Sequence, residues 1–249
     1  PNLRQMAIFG SEVKLSAHEI FFQELAVSTQ DQNLYSDLDD ANNQGLAWKG
    51  GFRTVERNIK LFPEYHLSSE ISFEYNEADF LPIDRFRYIE FNRDWNYPSP
   101  YDSVARFERI FHADVTVEKG SQNRINYEVD KRRRGIALSG VQQRLAVEKD
   151  IGPFHYSGNH FLMSNYQIYS EASWRRSFST LSIDVDPFSF GAFYNLDQNL
   201  IRTSETDSVI NSAMYFSEGG VIIRNSDSAN FNLETRLGQR NEQHPVSGS

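Results

Sequence analysis

Along residues 66–97, "HLSSEISFEYNEADFLPIDRFRYIEFNRDWNY", the chain alternates and then crowds. Ser69, Ile71, Phe73 and Tyr75 fall on one side of an extended backbone, and Glu70, Ser72 and Glu74 fall on the other. The same period of two recurs further on. In "FERIFHADVTVEKGSQNRINYEVDKRRRG", Phe111, Ala113, Val115 and Val117 share a face, and Ile125, Tyr127 and Val129 supply the matching face of a return strand. The polar connection "EKGSQN", with Gly120, suits a hairpin loop. The other face carries His112, Asp114, Thr116 and Glu118, then Arg124, Asn126, Glu128 and Asp130, so opposite charges can pair across it. Val141, Leu145 and Val147 alternate against Gln142, Arg144 and Glu148. Leu181, Ile183 and Val185 alternate against Thr180, Ser182 and Asp184, and Leu233, Thr235 and Leu237 against Glu234 and Arg236.

Two segments are ambiguous. "SAHEIFFQELAVS" fits a helical face or a strand equally well. "HFLMSNYQIYSEASW" reads as one strand with Leu162, Tyr166, Ile168, Ala172 and Trp174 on one side and Phe161, Met163 and Tyr169 on the other, hence covered on both faces. Turns are expected at "NNQG", "DIGPFHYSGN", "DPFSFG", "SEGG" and "RNSDSAN", which are rich in Gly, Pro, Asn, Asp and Ser. The pattern predicts one all-β domain over residues 1–249, an antiparallel meander of roughly ten to twelve strands. Two architectures satisfy it: an outer-membrane β-barrel or a segment of one, and a soluble β-sandwich or curved sheet.

Composition narrows the chemistry. The 249 residues include 19 Phe and 12 Tyr, which suits half-buried strands and disfavours disorder. A net charge of −9 argues against a nucleic-acid backbone as partner. The one dense basic run, "KRRRG" at Lys131 to Gly135, reads as a solvated strand end or turn in preference to a docking site for an acidic group. There is no cysteine, so thiol chemistry, disulfides and Cys-ligated zinc are excluded. The opening "PNLRQMAIFGSEVKL" lacks a basic segment followed by a long apolar run, as expected of a mature secreted protein or a piece of a longer chain.

Candidate chemistry is sparse. Asp40, Asn42, Gln44 and Gly45 imitate the start of a calcium loop, but the twelfth position is Gly51, where a bidentate Glu is needed. A polar strand connection explains the same residues. The six histidines form no metal-binding motif, and neither a nucleophile elbow nor a phosphate-binding loop occurs. No catalytic residue, cofactor or metal is therefore expected. A β-fold glycoside hydrolase, whose carboxylates need no motif, stays as a minor alternative. Trp48, Trp95, Trp174, Tyr88, Tyr97 and Tyr101 lie near expected strand ends or loops, where a membrane barrel carries aromatic girdles.

Two stretches look like family pattern. "LAVSTQDQNLYSDLDDANNQGLAWKGGF" and "RYIEFNRDWNY" resemble segments of large, poorly characterised outer-membrane proteins of Bacteroidota, over roughly residues 10–100. The matched positions are Glu24, Leu25, Ala26, Ser28, Asn33, Ser36, Gly45 and Ala47, then Glu90, Phe91, Arg93, Asp94, Trp95 and Asn96. The resemblance implies an outer-membrane or surface β-protein and no catalytic residue. The chain's last residues, "NEQHPVSGS", lack the terminal aromatic of many complete barrels, which suggests a fragment of a larger barrel. The expected function is a non-enzymatic outer-membrane or cell-surface barrel with a structural or transport role, its partners the bilayer or other surface proteins. The alternative is a periplasmic or secreted sandwich that binds a glycan or protein.

Overall fold

The computed structural model describes residues 3–31, 44–83, 87–97, 107–203, 210–225 and 233–243. Twelve strands follow one another in chain order and in space, each antiparallel to the next. They are β1 (Leu3–Lys14), β2 (Glu19–Asp31), β3 (Gln44–Ile59), β4 (Phe62–Asn76), β5 (Glu108–Glu118), β6 (Asn123–Arg134), β7 (Leu138–Ile151), β8 (Phe154–Gln167), β9 (Ser170–Val185), β10 (Phe188–Thr203), β11 (Ile210–Asn225) and β12 (Glu234–Gln243). One helical turn, α1 (Phe91–Asp94), lies in the long connection between β4 and β5. The sheet is a single open meander, and no pairing joins β1 to β12 among the described residues. No described helix is long and apolar enough to cross a membrane, which has no bearing on strands.

The hairpin read from "EKGSQN" is present. Val115 pairs with Tyr127 and Ala113 with Val129, on one face as the alternation requires. The ambiguous "SAHEIFFQELAVS" is strand β2 from Glu19 onward. Three expectations are corrected. "HFLMSNYQIYSEASW" is two strands, turning at Ile168 and Tyr169, so Trp174 joins Phe161 and Met163 on the inner face while Leu162 and Tyr166 point out. Pairing with β8 overrides the lack of Gly or Pro at that turn. "SEGG" is not a turn but the middle of β11, where Gly220 packs against the backbone of Leu237 and Gly238. "YSGN" likewise continues β8, and only Gly152, at φ 60°, makes the turn before it.

The two faces have opposite chemistry. Many outward residues are apolar and exposed: Phe52 is 57% accessible, Ile71 54% and Val221 50%. Inward residues are buried and largely polar: Arg132, Gln142 and Asn165 are each 1% accessible. Two small apolar clusters sit among them, one of Trp95, Tyr97, Ala137 and Leu138, the other of Phe161, Met163, Ala172 and Trp174.

Candidate functional site: the inner face and its insert

The connection between β4 and β5 folds onto the inner face and is held there residue by residue. Its first part crosses β2 and β3: the Leu81 amide donates to Ser28 Oγ at 3.0 Å, and the Leu46 amide donates to Glu77 Oε2 at 3.0 Å. At Gly45 a side chain is impossible, because a Cβ there would run into the backbone of Asp79 and Phe80. Ala26 and Ala47 are the small, buried neighbours.

The second part centres on α1. Its C-terminus is closed by Asn96 in the left-handed region, at φ 47°. The Asn96 amide donates to the Arg93 carbonyl at 2.8 Å and the Tyr97 amide to the Asn92 carbonyl at 2.9 Å, the paired bonds of a Schellman cap. Asparagine suits that cap because it tolerates a positive φ. The turn then docks on four strands, β6, β7, β8 and β10. Arg132 of β6 donates to Asn92 Oδ1 at 2.9 Å, and Gln142 of β7 to the Asp94 carbonyl at 2.7 Å. On β8, Asn165 donates to the Trp95 carbonyl and Gln167 to the Asn96 carbonyl, the latter at 2.7 Å. On β10, Asn199 and Asn96 exchange side-chain amide bonds of 2.8 and 3.0 Å. Arg87 joins the insert to β4 through Glu74 and to β5 through Glu108, at 3.0 and 3.2 Å. The strands from β6 to β10 span about 19 Å if flat, so contact with one helical turn means that the sheet curves around it.

"RYIEFNRDWNY" thus contains a helical, interior turn and not the end of a strand. Trp95 and Tyr97, each 2% accessible, are inner packing residues and belong to no girdle. Trp174 is also interior, donating from its indole to Asp197 Oδ1 at 2.7 Å. Tyr88 is half-exposed on the insert. Its phenol donates to Asp94 Oδ2 at 3.0 Å, and burial together with the Asp94 charge pushes its pKa up to about 12. Tyr101 lies outside the described residues.

A network of ion pairs lines the face beneath the insert. Glu108 meets Arg132 at 2.7 Å, with Arg134 at 3.8 Å. Arg132 also lies over the Phe91 ring, 4.3 Å from its centroid. "KRRRG" is thus not uniformly solvated: alternation sends Arg132 and Arg134 inward to Glu108 and leaves Lys131 and Arg133 outside. Further along, Arg144 bridges Glu128 and Asp130, the latter at 3.0 Å, and His112 Nδ1 is 2.8 Å from Asp130 Oδ1. These groups border a cavity of about 260 Å³ shared with Arg87, Tyr88 and Trp95.

His112, Glu128 and Asp130 have one potential metal-ligating atom each within 4.8 Å of the others. Arg144 already supplies a cation to both carboxylates and offsets one of their two charges. Of the calcium candidates, Asp40 and Asn42 lie outside the described residues, and Gln44 is the first residue of β3. Sequence alternation put His112, Glu128 and Asp130 on one polar face of the hairpin, and Gln142 and Arg144 on the polar side of the next run. It missed Arg87, Glu108, Asn165 and Asn199, which become a site only when the insert docks.

Among known proteins nothing matches: no family model, no curated protein and no solved structure. The two stretches singled out in the sequence nonetheless share a physical role. Ser28, Gly45 and Ala47 seat the start of the insert, and Phe91 to Asn96 form its docked turn.

Proposed function

We propose that this chain forms part of the wall of an outer-membrane or cell-surface β-barrel, without enzymatic activity and with a structural or transport role. The bilayer covers its outer face, and the insert lies on the lumen side. The observation that carries this reading is the position of the outward apolar band. On β2 it runs through Phe21, Leu25 and Val27, interrupted by Gln23; on β5 through Phe111 to Val117; on β10 through Phe188, Phe190, Ala192, Tyr194 and Leu196.

These runs are not in the same register. The row of paired residues through Leu25 passes Trp48, Tyr75, Arg109, Arg133, Ser139, Tyr166 and Glu171 and reaches β10 at Arg202. Arg202 lies ten residues beyond Ala192, the middle of the β10 run. A drift of that size over eight strand steps corresponds to a tilt of about 40°, within the range of membrane barrels. A level slab of lipid cutting across tilted strands leaves such a slanting band. It also accounts for outer residues that alternation alone leaves odd: Arg175 and Ser177 on β9 lie beside the band and not in it. A strand of twelve residues, about 40 Å long, rises about 30 Å at that tilt, enough to span the hydrocarbon core.

The test is extraction. The chain should partition with membranes and need detergent to stay folded and dispersed. A folded monomer in plain buffer would point instead to the secreted sandwich.

A further inference from the structure

We infer that Arg109, Lys131 and Arg133 form an outward-facing site for the phosphate of an anionic lipid headgroup, at the edge of the apolar band. This deepens the barrel reading and rests on it. All three side chains are exposed and project from the outer face of β5 and β6. They close the apolar runs of both strands at the same end, after Val115, Ala113 and Phe111 on one and Tyr127 and Val129 on the other. Arg109 is directly paired with Arg133, and Phe111 with Lys131. Two cations opposite one another on one face repel, and their Cα atoms are only about 5 Å apart.

The inner face handles its charge differently. There Arg53, Arg87, Arg132 and Arg144 all meet carboxylates. On the outer side Arg109 lies 5.1 Å from the Phe107 ring centroid and 5.6 Å from that of Tyr75, and among the described residues it meets no carboxylate. Arg133 donates to the Gly135 carbonyl at 3.4 Å, and Lys131 has no acidic neighbour among the described residues. Hence the fold places three cations together, in register and with no carboxylate partner among the described residues, where the band of apolar residues ends. At that depth a bilayer presents phosphates. Guanidinium groups bind phosphate through paired N–H donors, and the flanking rings of Tyr75 and Phe107 suit the interfacial level.

The experiment uses the whole chain and a triple variant, Arg109→Gln, Lys131→Gln and Arg133→Gln. Both are inserted into nanodiscs of phosphatidylcholine alone or with phosphatidylglycerol, and co-purifying lipid is counted after detergent extraction. Wild-type chain should retain phosphatidylglycerol, with affinity in the triple variant lower by roughly 100-fold. In phosphatidylcholine alone the variant should insert and unfold no earlier than wild type, because a repulsive pair has been removed. Added inorganic phosphate should fail to displace the lipid. Equal retention by both chains, or displacement by inorganic phosphate, overturns the lipid site while leaving the barrel intact. Failure of both chains to enter any nanodisc overturns the barrel reading itself.

Discussion

Glu108 on β5 and Arg132 on β6 meet at 2.7 Å on the inner face, with 6% and 1% of their side chains accessible. They stand two residues from the register pair Ile110–Arg132 and Glu108–Arg134, so their contact is diagonal across the ladder. Arg87 from the insert closes on the same carboxylate. One buried carboxylate therefore ties two strands and the insert together. Removing one partner strands the other, so Glu108→Ala should cost about 3–5 kcal/mol. The double replacement Glu108→Leu with Arg132→Met should cost less than the sum of the single changes, measured by urea unfolding. Additive losses would show that the pair is not coupled.

Trp95 seals the docked turn. Gly140 on β7 makes room for it: a Cβ there would sit 3.1 Å from Trp95 Cζ3 and 2.8 Å from Asn165 Cβ. Gly140→Ala should destabilise by about 1–3 kcal/mol through overpacking, and Trp95→Ala by about 3–5 kcal/mol. Tryptophan emission should shift to the red in Gly140→Ala if the turn lifts away. Unchanged emission and stability would mean that the insert is loosely seated.

Neighbouring residues on β4 separate the two faces. Phe73→Lys puts a charge into the apolar band, at about 2–4 kcal/mol for a site near the bilayer midplane. Glu74 lies on the opposite, polar face. Its carboxylate takes both guanidinium nitrogens of Arg87, so Glu74→Lys should also destabilise, by about 2 kcal/mol or more. Unfolding midpoints of the two variants check both statements.

Tyr88 gives a pH dependence. Its folded pKa of about 12 lies above the ordinary value of 10.0, so the folded state favours the protonated phenol. That contribution is complete below pH about 10 and is lost as pH rises toward about 12. Tyr88→Phe should flatten the alkaline stability profile over that window. An unchanged profile would contradict the Tyr88–Asp94 contact.

The sheet was legible in the sequence because burial of one face enforces a strict period of two, clear in Phe111 to Val117 and Ile125 to Val129. Strand boundaries were less so. Ile168 and Tyr169 turn without a turn residue, and Gly219 and Gly220 continue a strand despite their type. The insert was not legible. Trp95, Asn96 and Arg132 take their roles from contacts with strands up to a hundred residues away, such as Asn199, and no local pattern encodes those. Alternation also cannot say which face the insert covers, and only the tertiary placement of Arg132, Gln142 and Asn165 beneath it shows that.

The most direct test compares two outward positions in one register row. Ala113 on β5 and Arg175 on β9 are linked through Val129, Gln143 and Leu162. The chain has no cysteine, so each can be replaced singly by Cys, spin-labelled in lipid, and probed with oxygen and a water-soluble nickel chelate. A tilted wall in a bilayer predicts that the label at 113 is relaxed mainly by oxygen and the label at 175 mainly by nickel. If nickel reaches both labels equally, the outer face lies in water and the barrel account is contradicted.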